Sequence, residues 1–188
     1  IIKYFNYVKV NSGGDTVKGA SIVSQKVVCG NKNISSGSGY FSNVESADFT
    51  FSITDSRGNT TTKKITKTLV NYAKLTCNLT ASNPTLNANG TTATTQLKIS
   101  GNYFNGSFGA VANSLIVQYR FKENNGSYGD WINVTATKSG NTYTAIVNKV
   151  DLNYQNSYTF QARVQDEVQK TESNYIASAE KKVKTIPV

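Results

Sequence analysis

The stretch at residues 158–165, YTFQARVQ, constrains the fold more than any other. Tyr158, Phe160, Ala162 and Val164 alternate there with Thr159, Gln161, Arg163 and Gln165. Successive side chains of a strand point to opposite faces, so this pattern predicts a strand with one buried and one wet face. Leu152 stands six residues ahead of Tyr158, across the polar turn NYQNS. A leucine, a turn and a tyrosine that opens an alternating strand make the corner of a two-sheet β-sandwich. The ring fills the edge of the core, and the hydroxyl ties back to the turn backbone.

The same moment occurs earlier. FTFSITD at 49–55 and YTFQARVQD at 158–166 share aromatic–Thr–Phe, alternating apolar positions and a closing Asp, at a separation of 109 residues. That separation is the length of one sandwich module, so the chain reads as an internal repeat. Val44 stands ahead of Phe49 as Leu152 stands ahead of Tyr158.

The remaining chain divides in the same way. In the first module, residues 2–10 alternate with aromatics on both sides, which leaves the inward face open. Residues 17–29 offer one or two strands, 31–39 a polar Gly/Ser loop, and 49–55 a strand that turns through SRGN into another at 60–69. In the second, strands are expected at 75–81, 94–100, 115–122, 131–134, 143–150, 158–165 and 176–183, with a glycine- and aromatic-rich loop at 101–112. No window carries a helical period. Short strands with turns every 8–12 residues predict an all-β protein of two tandem immunoglobulin/fibronectin type III-like β-sandwiches. The expected domains are 1–72 and 73–188. The linker at 71–74 is short and lacks a Pro or Gly run, which predicts modules stacked end to end with limited freedom. The sequence has no Met and opens on IIKYF, which reads as mid-strand. These two features predict a piece of a longer chain whose first domain is truncated on its N-terminal side.

Composition narrows the partners. Hydrophobic residues make 38% and charged residues 16% of the chain, and the net charge is +9. A basic surplus suits nucleic acid or an anionic surface. The lysines are scattered, however, and the dense pairs Lys63–Lys64 and Lys181–Lys182 fall on expected edge strands, where lysine blocks edge-to-edge pairing. Nucleic acid is therefore not an expected partner, whereas teichoic acid or another anionic wall polymer is. No apolar run has membrane-spanning length, so no membrane partner is expected. Cys29 and Cys77 fall in different modules and read as small buried hydrophobes rather than a disulfide framework.

Little in the chain points to catalysis. It has no His, which removes the commonest general base and metal ligand, and no nucleophile-elbow, phosphate-loop or zinc spacing is present. The acid pairs Glu45/Asp48 and Asp166/Glu167 read as turn and strand-end carboxylates bonding their own backbone. Asp55 and Asp166 lack the cluster of oxygens that calcium needs. The expectation is a protein that is not an enzyme and has no cofactor or metal. The binding candidates are aromatic. Tyr103, Phe104 and Phe108 lie between Gly-flanked turns, and Tyr128 and Trp131 on the next hairpin. Exposed rings stack on sugars or pack on protein partners. The competing reading has Phe104 and Phe108 capping the sandwich end and Trp131 packed in the core.

The run SGNYFNGSFGAVANSLIVQYRFKENNGSYGDWINV at 100–134 resembles a segment of minor structural, host-specificity-type tail proteins of long-tailed phages that infect Gram-positive bacteria. TDSRGNTTTK at 54–63 is similar to the strand-end turn of their immunoglobulin-like modules. The resemblance implies a virion tail component with tandem sandwich modules, acting as spacer and host cell-surface contact. It implies other tail and baseplate proteins as partners, homo-oligomerisation of the full-length protein, and host cell-wall polysaccharide as a ligand. Two alternatives stand beside it: a carbohydrate-binding or adhesin repeat of a Gram-positive surface protein, and an accessory domain of a cell-wall hydrolase.

Overall fold

The computed structural model describes residues 1–3 and 5–184. They are almost wholly strand, loop and turn, and they fall into two compact units, Ile1–Tyr72 and Ala73–Val188.

The first unit contains β1 (Val8–Asn11), β2 (Ile22–Cys29), β3 (Lys32–Ile34), β4 (Ser38–Phe41), β5 (Asp48–Asp55) and β6 (Thr60–Thr66). A four-stranded sheet in the order β3-β2-β5-β6 faces a two-stranded sheet, β1-β4. Val10, Val27, Cys29, Phe41, Val44 and Phe49 form the shared core. Antiparallel register sets Cys29 against Phe49 and Val27 against Phe51, and the Phe41 and Phe49 rings meet edge-on at 5.9 Å. At the β5–β6 turn, Asp55 Oδ1 accepts the N–H groups of Arg57 and Asn59, each at 2.9 Å. Gly58 sits there at φ 81°, a conformation that glycine adopts without strain. Lys63 and Lys64 lie on β6 at the sheet edge, where Lys64 pairs with Asp48 at 2.6 Å.

Two expectations change in this unit. Of the stretch 2–10, only Val8 onward is a regular strand, and Tyr4 lies outside the described residues. Ile2 instead bridges Val70 in parallel, and the chain turns before β1. Burial of Val10 settles which face of β1 points inward. The segment 31–39 is not simply a loop, since β3 forms a hairpin with β2 that sets Ile34 against Val27. Ile34 packs on the core, and one apolar residue among polar ones is enough to hold so short a strand.

The second unit contains β7 (Asn78–Ala81), β8 (Thr85–Leu86), β9 (Thr92–Asn102), β10 (Ser107–Phe108), β11 (Val111–Ala112), β12 (Leu115–Glu123), β13 (Ile132–Asn133), β14 (Thr137–Ser139), β15 (Thr142–Asn153), β16 (Ser157–Asp166), α1 (Glu167–Thr171), β17 (Ile176–Ala177) and β18 (Lys181–Lys184). One sheet runs β14-β15-β9-β7, with β8 also on β9. The other runs β13-β12-β16-β17, with β18 also on β16. Their inner faces meet through Leu97, Ile99, Tyr143 and Ala145 from the first sheet and Val117, Tyr119, Phe160, Ala162 and Val164 from the second. This is an immunoglobulin-like β-sandwich. Phe160 is fully buried opposite Phe121, and burial of a side chain of that size contributes about 1.5–3 kcal/mol.

The corner forms as the sequence implies. Leu152 and Tyr158 are buried, and the Tyr158 hydroxyl accepts the Asn153 N–H at 3.0 Å. A register shift between Lys149 and Leu152 turns the end of β15 so that Leu152 enters the core. The segment 101–112 carries the small β10–β11 hairpin, closed by Gly109 at φ 67°. The helix α1 is a departure from the expectation of strands alone. At five residues it is too short to show a countable period, yet its local signals are present. Asp166 caps it by accepting the Gln169 N–H at 3.0 Å, and Glu167 and Lys170 complement its two ends.

Both cysteines are free thiols. Burial raises the Cys29 thiol above its ordinary value and pushes Cys77 up to about 11, so both stay protonated and unreactive near neutral pH.

Candidate binding surface

The alternation of β12 and β16 leaves Gln118, Arg120 and Lys122 on one strand and Gln161, Arg163 and Gln165 on the other, all facing away from the core. Register places Gln118 opposite Arg163 and Arg120 opposite Gln161. Each arginine is held by the glutamine across from it. Arg120 donates from Nε and Nη2 to Gln161 Oε1 at 3.0 and 2.7 Å, and Arg163 donates from Nε to Gln118 Oε1 at 2.7 Å. The Gln118 amide continues to Asn133 Oδ1 at 2.9 Å.

A guanidinium fixed in this way is a flat cation with faces that rings can cover. Arg120 lies 4.4 Å from the Tyr128 ring centroid and 4.3 Å from that of Trp131. Arg163 lies 4.2 Å from Trp131 and 3.9 Å from Tyr175. The contacts run in series: Tyr128, Arg120, Trp131, Arg163, Tyr175. Lys122 adds a second cation 4.9 Å from Tyr128. At about 0.5–1 kcal/mol each, the four arginine–ring contacts total roughly 2–4 kcal/mol. The Tyr128 hydroxyl donates to Glu180 Oε1 at 2.5 Å; burial and that carboxylate push its pKa up to about 12.

The five aromatic candidates therefore divide. Tyr128 and Trp131 belong to this ladder on the outer face, so Trp131 is neither a core residue nor an open platform, since two guanidiniums share its ring. Tyr103 is a core residue, 1% exposed, and not part of an exposed platform. Its hydroxyl donates to Asn113 O at 2.6 Å, and Lys138 Nζ lies 3.2 Å from the same oxygen and 4.7 Å from the ring centroid. Phe104 and Phe108 are half-buried and pack on each other at 5.4 Å. Phe104 folds over Gly106 so closely that a Cβ there would lie 2.4 Å from its ring. Tyr103 thus serves the core, the two phenylalanines serve each other, and the other pair serves the β12–β16 face.

Arg120, Arg163 and Tyr175 escaped sequence reasoning. Their signal is arginine at the polar positions of two alternating strands, and it becomes meaningful only once register places those strands side by side.

The acidic residues have partners as well. Asp48 takes Lys64 and the Thr66 hydroxyl, which hold its carboxyl below the usual range. Glu167 is lowered likewise by Ser114 and Lys170. Asp166 is buried between the Asn113 amide and the helix cap. In the first unit, a groove of about 590 Å³ is lined by Phe51, Ile53, Ile65 and the 11–16 segment. Its carboxylate Asp55 is tied up by the Asn59 side chain and backbone, which lower its pKa. The described acids act as caps, turn anchors and edge pairs.

No protein-family model matches this chain, and no curated protein matches it.

Proposed function

We propose that this chain is a non-catalytic structural and binding segment of a phage tail protein, which maintains a spacing and contributes weak contacts to the host surface. The observation that carries the structural half is the arginine–aromatic ladder. It joins the turn after β12, β13, and the segments around β17 and β18 to one sheet face, and its polar groups are satisfied within the protein. Such a face suits a rigid spacer better than a catalytic or ligand-enclosing surface. The tail assignment rests on the resemblance of residues 100–134 and 54–63 to phage tail proteins. Other tail and baseplate proteins would be the assembly partners, and wall polysaccharide or teichoic acid the host contact. Copy number would convert weak single contacts into useful avidity.

Immunogold electron microscopy tests this directly. Antibody raised against the purified chain is applied to phage particles released by the bacterium that carries the gene. Gold on tails is expected. Gold on the bacterial wall with bare particles would refute the tail assignment and favour a surface adhesin.

A further inference from the structure

Open aromatic faces do exist in this chain, but not where the sequence directs attention. Tyr7 and Tyr40 are 76% and 64% exposed. Both belong to the outer side of the β1–β4 sheet. Tyr40 pairs with Lys9 across the ladder, and Tyr7 immediately precedes β1, continuing its alternation on the side of Lys9. Val10 and Phe41 point the other way, into the core. Lys9 Nζ lies 6.0 Å from the Tyr40 centroid, beside the ring rather than clamped on it.

The surroundings of these rings decide what they suit. The other exposed side chains of the face are Asn11 and Ser38, an amide and a hydroxyl. β1 and β4 carry no acid and no outward aliphatic residue. A protein partner needs a mostly apolar centre to its patch, and this face offers two rings set among polar groups. A pyranose offers the matching chemistry, with C–H faces for the rings and hydroxyls for the amide and hydroxyl. Charge narrows the choice further. The unit carries nine lysines and arginines against four carboxylates, a surplus of five positive charges.

We infer that Tyr7, Lys9 and Tyr40 form a binding site for an anionic polysaccharide, with the rings stacking on sugar units and Lys9 contacting an acidic substituent. The site gives the host-contact part of the proposed function a ligand class and rests on that reading for its biological role. Its physical test does not depend on where the chain resides, so either claim can fail alone.

The experiment measures binding of the purified full chain to three probes at low salt: polygalacturonate, neutral dextran and inorganic polyphosphate. Polygalacturonate is expected to bind most tightly, because it alone combines pyranose faces with charge. The double variant Tyr7→Ala/Tyr40→Ala should weaken that binding by about tenfold or more. Lys9→Gln should weaken it and flatten its salt dependence. All three positions are exposed, so unchanged thermal midpoints show that the fold is intact. Absence of polygalacturonate binding, equal binding of polyphosphate or of dextran, or full binding by the double tyrosine variant would each overturn the site.

Discussion

Replacing Tyr158 by phenylalanine removes one oxygen and leaves the ring in place. That oxygen accepts the Asn153 N–H at 3.0 Å, the bond that closes the corner between β15 and β16. The ring stacks on Phe160 at 6.4 Å and lies near Phe121, contacts that phenylalanine keeps. The loss is therefore that of a single backbone-to-hydroxyl hydrogen bond. Asn153 is exposed, so water can reach its freed N–H, and the cost stays near the ordinary net value of about 1 kcal/mol. For a unit of this size, that lowers the melting midpoint by about 3–6 °C. Urea unfolding of the full chain reads this cleanly, because its one tryptophan, Trp131, lies in the second unit and reports on it. Tyr154→Phe is the matched control. It removes a hydroxyl from the same turn that meets only the Gln155 amide among the bonds described, at 3.3 Å. If Tyr158→Phe unfolds at the same urea concentration as Tyr154→Phe, the corner bond contributes nothing and the reasoning fails.

Two further outcomes are expected. Trp131→Ala removes the ring shared by Arg120 and Arg163 and should cost about 2–3 kcal/mol, measured by circular dichroism in urea; a loss below about 0.5 kcal/mol would show that the ladder is ornamental. Stability should also fall on the acid side. Asp48, Asp55 and Glu167 are held below their ordinary carboxyl values in the folded chain, so the unfolded chain takes up their protons first as pH drops. Their contribution is complete above the ordinary carboxylate range and is lost as pH falls through the lowered values. Asp48→Asn should lie below the parent in thermal midpoint at neutral pH and converge with it toward pH 2; a constant gap would refute the assignment.

The parts of this molecule that were legible in its sequence are those set by neighbouring residues. Tyr158, Phe160, Ala162 and Val164 declare their face by alternation alone, and Leu152 declares the corner by its distance from Tyr158. Asp55 and Gly58 declare a turn by their own conformational preferences. The ladder could not be read this way. Arg163 meets Gln118 across 45 residues, and that pairing depends on which residue of β12 falls opposite which residue of β16. Loop aromatics mislead for a related reason. Tyr103 sits among glycines and looks exposed, but the strand leading into it delivers the ring to the core, where the Asn113 carbonyl is waiting. Tyr7 and Tyr40 were passed over because the aromatics at 2–10 fall on both sides of the alternation, and only the burial of Val10 and Phe41 shows which side is open.

Hydrogen exchange measured by mass spectrometry on the full chain, with and without polygalacturonate, compares the two aromatic regions in one experiment. Added protection is expected in peptides covering 7–11 and 38–41, with no change at 103–108 or 128–134. Protection at 103–108 or 128–134 instead would contradict the assignment of the ladder to structure and of contact to the β1–β4 face.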